Sequence, residues 1–451
     1  MFQNESNKLN HIMQNNLIDK QLVDTTMAQC GVSNLDDASI RDTVKIANLL
    51  EKATGEKFIR MEMGVPGLAP SRIGTEAEIE ALKHGVAQFY PMLEGYPVLS
   101  EEASRFVKNF MDVDIRPEGI IPTVGAMQAS YVAFMALTEC HKGKDTILFI
   151  DPGFPVQKTQ LEVIGKPYQT FDIYEYREEK LEAKLREYLD RGNIAGIVYN
   201  PNNPSWVCLT DFELQVIGKL ATEYDTIILE DLAYFAMDFR KDLSHPGKAP
   251  FQPTVAKYTD NYIFMISSSK LFSYAGQRLG LLCISDALFH KKYEHLKERY
   301  KADKLGYTIT YKLIYTQTSG TAHSPQYAVA AVLKAANEGR INILTDVREY
   351  GKRAEIMKTL YKNAGFKVVY DKDGHEDVAD GFYFTIYYPG MTGAELAKEL
   401  LYYGISSITL KGCGSTREGL RACVSQVGLD QMDTLKDRIE RFAKDHTPIE
   451  S

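Results

Sequence analysis

Five short apolar runs follow one another in the middle of the chain: residues 146–150 (TILFI), 194–199 (IAGIVY), 226–229 (TIIL), 262–266 (YIFMI) and 279–284 (LGLLCI). Each is too short for an average helix and too uniformly apolar for a strand with one wet face. Amphipathic stretches, such as residues 180–189 and 211–223, lie between several of them. Apolar runs alternating with helices predict strands buried on both faces of a mostly parallel sheet. The expected class is α/β, with helices on both sides of the sheet. Ligands of such sheets sit beyond the carboxyl ends of the strands, so the residues just after each run are the first to inspect.

A length of 451 residues allows two or three units. The spacing Ile40, Val44, Ala47, Leu50 predicts a helix that follows a capping Asp37 and stops near Gly55. Residues 1–35, polar and without periodicity, are read as an arm. After residue 310 helical patterns dominate (328–337, 346–363), then strands at 366–370 and 381–387, and helices at 393–402 and 430–444. The expected organisation is therefore residues 1–60 as an arm and helix belonging to the smaller domain, 61–310 as the sheet-bearing domain, and 311–451 as a smaller α+β domain.

Other classes of function are excluded by composition. With 52 Lys+Arg against 60 Asp+Glu the net charge is −8, which disfavours nucleic-acid binding. A DNA-binding head joined to an enzyme-like domain is also disfavoured, because residues 1–60 carry seven Lys/Arg and eight Asp/Glu. The six cysteines are far apart and form no CxxC pair, so free thiols and no metal site are expected. There is no run of about 18 apolar residues and no apolar leader at the start, so a cytoplasmic protein without a membrane partner is expected.

Five groups stand at the strand ends. In residues 120–137 (IIPTVGAMQASYVAFMAL) a strand turns at Gly125 into a helix, freeing the amides of Gly125, Ala126 and Met127 for an anion. DPGFP puts Phe154 just past a strand, and NPNNPSW (200–206) forms a rigid turn able to aim an Asn side chain. EDLAY sets Asp231 at a strand terminus with Tyr234 three residues on, and SSSKLFSYAGQRLG carries Lys270 with Arg278 eight residues later. An anion cradle, a stacking ring, a hydrogen-bond donor, a carboxylate and an amine nucleophile form the set that pyridoxal 5'-phosphate requires.

The order NPNNP, D-x-A-Y, then S-x-x-K with an Arg eight beyond the Lys resembles the class I/II aminotransferases among the fold type I pyridoxal-phosphate enzymes, over roughly residues 60–425. The resemblance implies a ping-pong transfer of an amino group from an α-amino acid to a 2-oxo acid by a homodimer. It implies that Lys270 is the Schiff-base lysine and that Asp231 pairs with the pyridine nitrogen. Asn203 and Tyr234 would bond the phenolic oxygen. Gly125, Ala126, Met127, Ser267 and Arg278 would hold the phosphate, with Phe154 stacked on the ring and Tyr90 donated by the neighbouring subunit. Arg421, in GLRACVS, would hold the substrate α-carboxylate, with Gly64 and Asn203 beside it. A β-lyase or synthase of the same fold is the alternative reaction.

Two departures from the family pattern stand out. After NPNNP the family has Thr-Gly, but here Ser205 and Trp206 follow, and a positive φ that glycine takes freely would strain tryptophan. No arginine occurs between Arg299 and Arg340, where aspartate-type enzymes carry a clamp for a second carboxylate. Neutral, apolar or aromatic donors are therefore expected, with Trp206 at the rim as a contact, unless an arginine elsewhere or a lysine such as Lys312 takes the clamp's place.

Overall fold

A computed structural model describes residues 15–379 and 381–448. Its centre is a seven-stranded sheet of β1 (Ile120–Val124), β2 (Thr146–Asp151), β3 (Tyr168–Asp172), β4 (Ile194–Tyr199), β5 (Ile227–Leu232), β6 (Tyr262–Ser267) and β7 (Leu279–Ile284). Their order across the sheet is β1-β7-β6-β5-β4-β2-β3, and all run parallel except β7. The five apolar runs are β2, β4, β5, β6 and β7, every residue of them buried. Alternation along a strand divides them between two cores. Ile147 and Phe149 face the layer that contains the helix Gly125–Leu137, whereas Leu148 and Ile150 face the opposite layer with the helices Glu179–Leu189 and Asp211–Glu223. Strand β3 escapes the sequence reading because it is an edge strand, YQTFD, whose first three residues are partly exposed and need no apolar side chains.

The helix near residue 40 is Ile40–Thr54. Its N-cap is Ser39, not Asp37: the Ser39 hydroxyl accepts from the Asp42 amide while the Asp42 carboxylate accepts from the Ser39 amide. It ends at Gly55 with φ +80°, as the sequence predicts. Within the expected arm, residues 1–14 lie outside the described residues, but Lys20–Gln29 is a helix capped by Asp19. Only Val23, Thr26 and Met27 of it are buried, and one apolar turn inside a polar stretch gives no readable period.

The smaller antiparallel sheet orders Ile408–Thr409, Leu420–Cys423, Tyr383–Tyr387 and Lys367–Val368. The N-terminal segment packs beside it. The amides of Leu17 and Ile18 donate to the Tyr402 carbonyl, and Ile59–Arg60 pairs in parallel with Ile405–Ser406. The helix His323–Asn337 packs against Arg72–Lys83 and Pro97–Met111, and Gln326 accepts from the Tyr96 amide at 2.7 Å. The wide-turn helix Ile309–Ile314 packs against Gly125–Leu137. Both segments therefore belong to the layers around the large sheet. Among the described residues no helix is long and apolar enough to cross a membrane.

Candidate active site

A cavity of about 560 Å³ opens at the carboxyl edge of the large sheet. Parallel strands deliver their last residues there: Phe154 past β2, Asn200 and Asn203 past β4, Asp231 in β5, and Ser267 with Lys270 at the end of β6. Because β7 runs the other way, its first residue lies at the same edge, and Arg278 immediately before it joins the group. From the smaller sheet come Tyr383 and Arg421, and Gly64 closes the wall. Of the expected residues, Gly64, Ala126, Met127, Phe154, Asn203, Asp231, Tyr234, Ser267, Lys270, Arg278 and Arg421 all line this one cavity.

Gly125 stands just behind the wall. Its φ is +67°, which favours glycine, and a Cβ built there would lie 2.6 Å from Arg278 Nη2, so a side chain would push the guanidinium away from the turn. The turn opens the helix Gly125–Leu137, whose free amides form a concavity suited to an anion. Ser267 caps the short helix Ser268–Leu271 by accepting from the Ser269 amide at 3.2 Å, and Ser269 itself reaches the cavity. Tyr90 is the one expected residue away from this wall: it is 90% exposed and outside its own chain's cavity.

Asp231 is buried and accepts three hydrogen bonds, from Gln157 Nε2 and Asn200 Nδ2 at 2.9 Å each and from the Ala233 amide at 3.1 Å. Burial pushes its carboxyl up to about 6, against the pull of these donors and of the Lys270 charge. Lys270 donates to the Gly64 carbonyl and lies over the Phe382 ring at 5.5 Å. The side chain keeps some contact with solvent, but enclosure of the amine brings its pKa down to about 8, and the Arg421 and Arg278 charges act in the same direction. A neutral amine is the nucleophile. Capture of an aldehyde such as pyridoxal phosphate by the cofactor-free protein is thus expected to speed up with pH and level off above about pH 8. Stopped-flow rates that kept climbing to pH 10 would contradict this.

Arg421, 1% exposed, donates to Asn203 Oδ1 at 3.2 Å and to the Glu62 carbonyl at 2.7 Å, and stacks on Tyr383 at 4.3 Å. Its Nε has no partner, and no carboxylate lies within salt-bridge distance among the described residues. Such a guanidinium is prepared for an anion. Tyr234 shares a short hydrogen bond with Tyr383.

Sequence reading missed three residues. Asn200, the first of NPNNP, bonds Asp231 and also accepts from the Phe154 amide at 2.9 Å; the strand-end rule alone identifies it. Gln157 stands three residues past Phe154 in the first turn of the helix Val156–Val163. Tyr383 lies in an ordinary apolar strand and carries no local signal.

Trp206 corrects an expectation. It is fully buried and absent from the cavity wall, so it is no rim contact. It does adopt the strained φ, +65°. Its ring backs Tyr234 (5.6 Å between centroids) and Tyr383 (6.1 Å), filling a space that exists because residue 381 is glycine, where a Cβ would lie 2.0 Å from the indole. Trp206→Gly relieves about 1–2 kcal/mol of backbone strain but forfeits about 3–5 kcal/mol of packing. A net loss of about 1–4 kcal/mol is expected in urea unfolding. A more stable variant would mean that strain outweighs packing.

The strand order, the single antiparallel strand and the site at the carboxyl edge define a fold type I enzyme. Solved structures share the fold: the aspartate aminotransferase from Thermus thermophilus with maleate matches with a TM-score of 0.71 at 18% identity, over 90% of this chain and 96% of that one. The alanine aminotransferase from Pyrococcus furiosus matches with a TM-score of 0.72 at 22% identity, over 90% and 97%. The chain belongs to the aminotransferase class I and II family, whose sequence profile matches residues 57–439. It is 23% identical to a probable aspartate aminotransferase of Methanocaldococcus jannaschii, over 73% of this chain and 87% of that protein. It is 30% identical to an aspartate aminotransferase of Pyrococcus horikoshii over 53% of this chain and 59% of that protein. An aromatic-amino-acid aminotransferase of Thermococcus litoralis is 29% identical over 55% and 62%.

Proposed function

We propose that the protein is a pyridoxal-phosphate-dependent aminotransferase that moves an amino group from an α-amino acid to a 2-oxo acid in two alternating half-reactions. The observation that carries this reading is the convergence on one cavity of Lys270, whose amine holds its proton weakly, the buried Asp231 carboxyl, and the anion-less Arg421 guanidinium. The names of the relatives are of the same chemistry.

The residues present fit the cofactor. The cradle of Gly125, Ala126 and Met127, crowded by Arg278, suits a phosphate, with Ser267 or Ser269 beside it. Phe154 supplies a ring to stack on, and Asn203 with Tyr234 would hold the phenolic oxygen. When bound, the cofactor supplies an electron-withdrawing ring that stabilises negative charge at the substrate Cα. Asp231 would hold the proton on the ring nitrogen, since a cation there lets the buried carboxyl ionise. Arg421 would fix the α-carboxylate and so aim the Cα–H bond at Lys270. The lysine amine, freed from the cofactor, would take the Cα proton and return it one position along.

Tyr90 is proposed to complete the site of a second copy in a homodimer. Its exposure, together with that of Phe89 (62%) and Met92 (66%), leaves an apolar patch that a dimer would cover.

Borohydride reduction of the yellow holoenzyme followed by peptide mass spectrometry tests the reading: the pyridoxyl adduct is expected on Lys270, and an adduct on another lysine would overturn it. Arg421→Lys loses the two-pronged grip of a guanidinium on a carboxylate. It is expected to lower kcat/KM for α-amino acids by about 10- to 150-fold while the cofactor spectrum survives. Unchanged kinetics, or loss of cofactor, would remove Arg421 from this role.

A further inference from the structure

Arginines without a carboxylate partner gather at this cavity. Of the eighteen in the chain, four have no Asp or Glu oxygen within 4.0 Å among the described residues: Arg41, Arg191, Arg278 and Arg421. Arg191 stacks on Tyr188 at the surface. The other three line the one cavity. An unpaired guanidinium is ordinary at a free surface, and Arg41 and Arg278 are exposed where Arg421 is buried, but three on one cavity wall gather like charge that a bound anion offsets. On the aminotransferase reading the cofactor phosphate answers Arg278 and the α-carboxylate answers Arg421. Nothing answers Arg41.

Arg41 is also well placed. It is the second residue of Ile40–Thr54, and the Ser39–Asp42 capping box fixes that first turn and occupies the adjacent carboxylate. Arg41 is exposed and has no hydrogen-bond or ion-pair partner among the described residues, and the N-terminal segments that line the cavity with it contribute Ser39, Ile40, Met63, Gly64 and Val65, mostly apolar. Among the described residues Asp231 is the only acidic side chain on the wall. Lys312, the other cation considered from the sequence, is not on it.

We propose that Arg41 grips a second carboxylate at the far end of the substrate, so that the preferred donors and acceptors are dicarboxylic amino and 2-oxo acids, with the apolar wall covering the methylene groups between the two anions. The inference rests on the aminotransferase reading and replaces the expectation of neutral donors, which followed from the arginine-free stretch between Arg299 and Arg340. The clamp comes from the N-terminal helix instead.

The test compares the holoenzyme with Arg41→Gln and Arg41→Lys. The readouts are kcat/KM for aspartate, glutamate and alanine, and calorimetric binding of succinate, a dicarboxylate that cannot react. The parent is expected to prefer aspartate or glutamate to alanine. Arg41→Gln should lower that preference about 10- to 150-fold and weaken succinate by a similar factor, the worth of a charge-assisted hydrogen bond. Arg41→Lys should restore part of both. A parent that prefers alanine, or an Arg41→Gln variant with the preference and succinate affinity of the parent, overturns the inference and leaves the aminotransferase reading standing. A parent that transfers no amino group from these three overturns the inference, and one that also transfers none from phenylalanine, tyrosine or leucine overturns both.

Discussion

Lys270→Ala is expected to abolish turnover, lowering kcat by about 10⁴-fold or more, because one side chain supplies both the covalent anchor and the proton carrier. The amine sits in a four-residue helix directly after β6, held near the Gly64 carbonyl, and among the described residues no other lysine lines the cavity. Cofactor should still bind without a covalent link, since the cradle at Gly125–Met127, Arg278 and Asp231 remain. Single-turnover absorbance with an amino donor reads the loss, and equilibrium dialysis reads the retained cofactor. A variant with more than about a hundredth of parental kcat would exclude Lys270 as the sole proton carrier.

The second large effect concerns Asp231→Asn. With the cofactor bound, the ring-nitrogen proton loses its ionic partner; breaking a buried charge pair costs about 3–5 kcal/mol, or about 10²- to 10⁴-fold in the proton-transfer step. Cofactor affinity should fall less, because the phosphate contacts are untouched. Without cofactor the sign reverses. The Asp231 carboxyl, raised to about 6 by burial, is above its ordinary value, so the folded state is favoured at low pH and that advantage is lost as pH rises from about 4 through 6. Asparagine escapes this penalty and still offers an oxygen to Gln157 and Asn200, at the cost of the acceptor that Oδ1 gives the Ala233 amide. The cofactor-free variant is therefore expected to be more stable than the parent at pH 7.5, by up to about 3 kcal/mol, and to lose that advantage near pH 4. Urea unfolding at the two pH values checks this. A variant less stable at pH 7.5 would mean that the carboxylate is not penalised by its burial.

Much of this was legible in the sequence, for reasons particular to each element. Strands β2, β4, β5, β6 and β7 announce themselves because both of their faces are covered, so no polar residue interrupts the run. Asp231, Asn203, Lys270 and Arg278 could be found because a strand-end rule converts chain position into spatial convergence. The rule does not reach Arg41, Tyr383 or Gln157. Arg41 comes to the cavity on a helix held alongside the smaller sheet by the pairing of Ile59–Arg60 with Ile405–Ser406 and by the bonds of Leu17 and Ile18 to Tyr402, long-range ties with no local signature. Trp206 was rightly marked as conformationally unusual, but its destination depended on the glycine at 381, 175 positions away in the chain and invisible to local reading. His323–Asn337 lies past the expected boundary near 310 yet takes its neighbours from the first quarter of the chain, packing that a change from strands to helices along the sequence does not reveal.

The central claim, transamination at the Lys270 cavity, is tested most directly by one half-reaction: holoenzyme mixed with an amino acid alone, without any 2-oxo acid acceptor, and its products identified by mass spectrometry. Stoichiometric pyridoxamine phosphate and one equivalent of the matching 2-oxo acid per site are expected, after which the reaction stops. Continuous release of ammonia with pyruvate or another elimination product, and no pyridoxamine phosphate, would contradict the account and mark the site as that of a lyase.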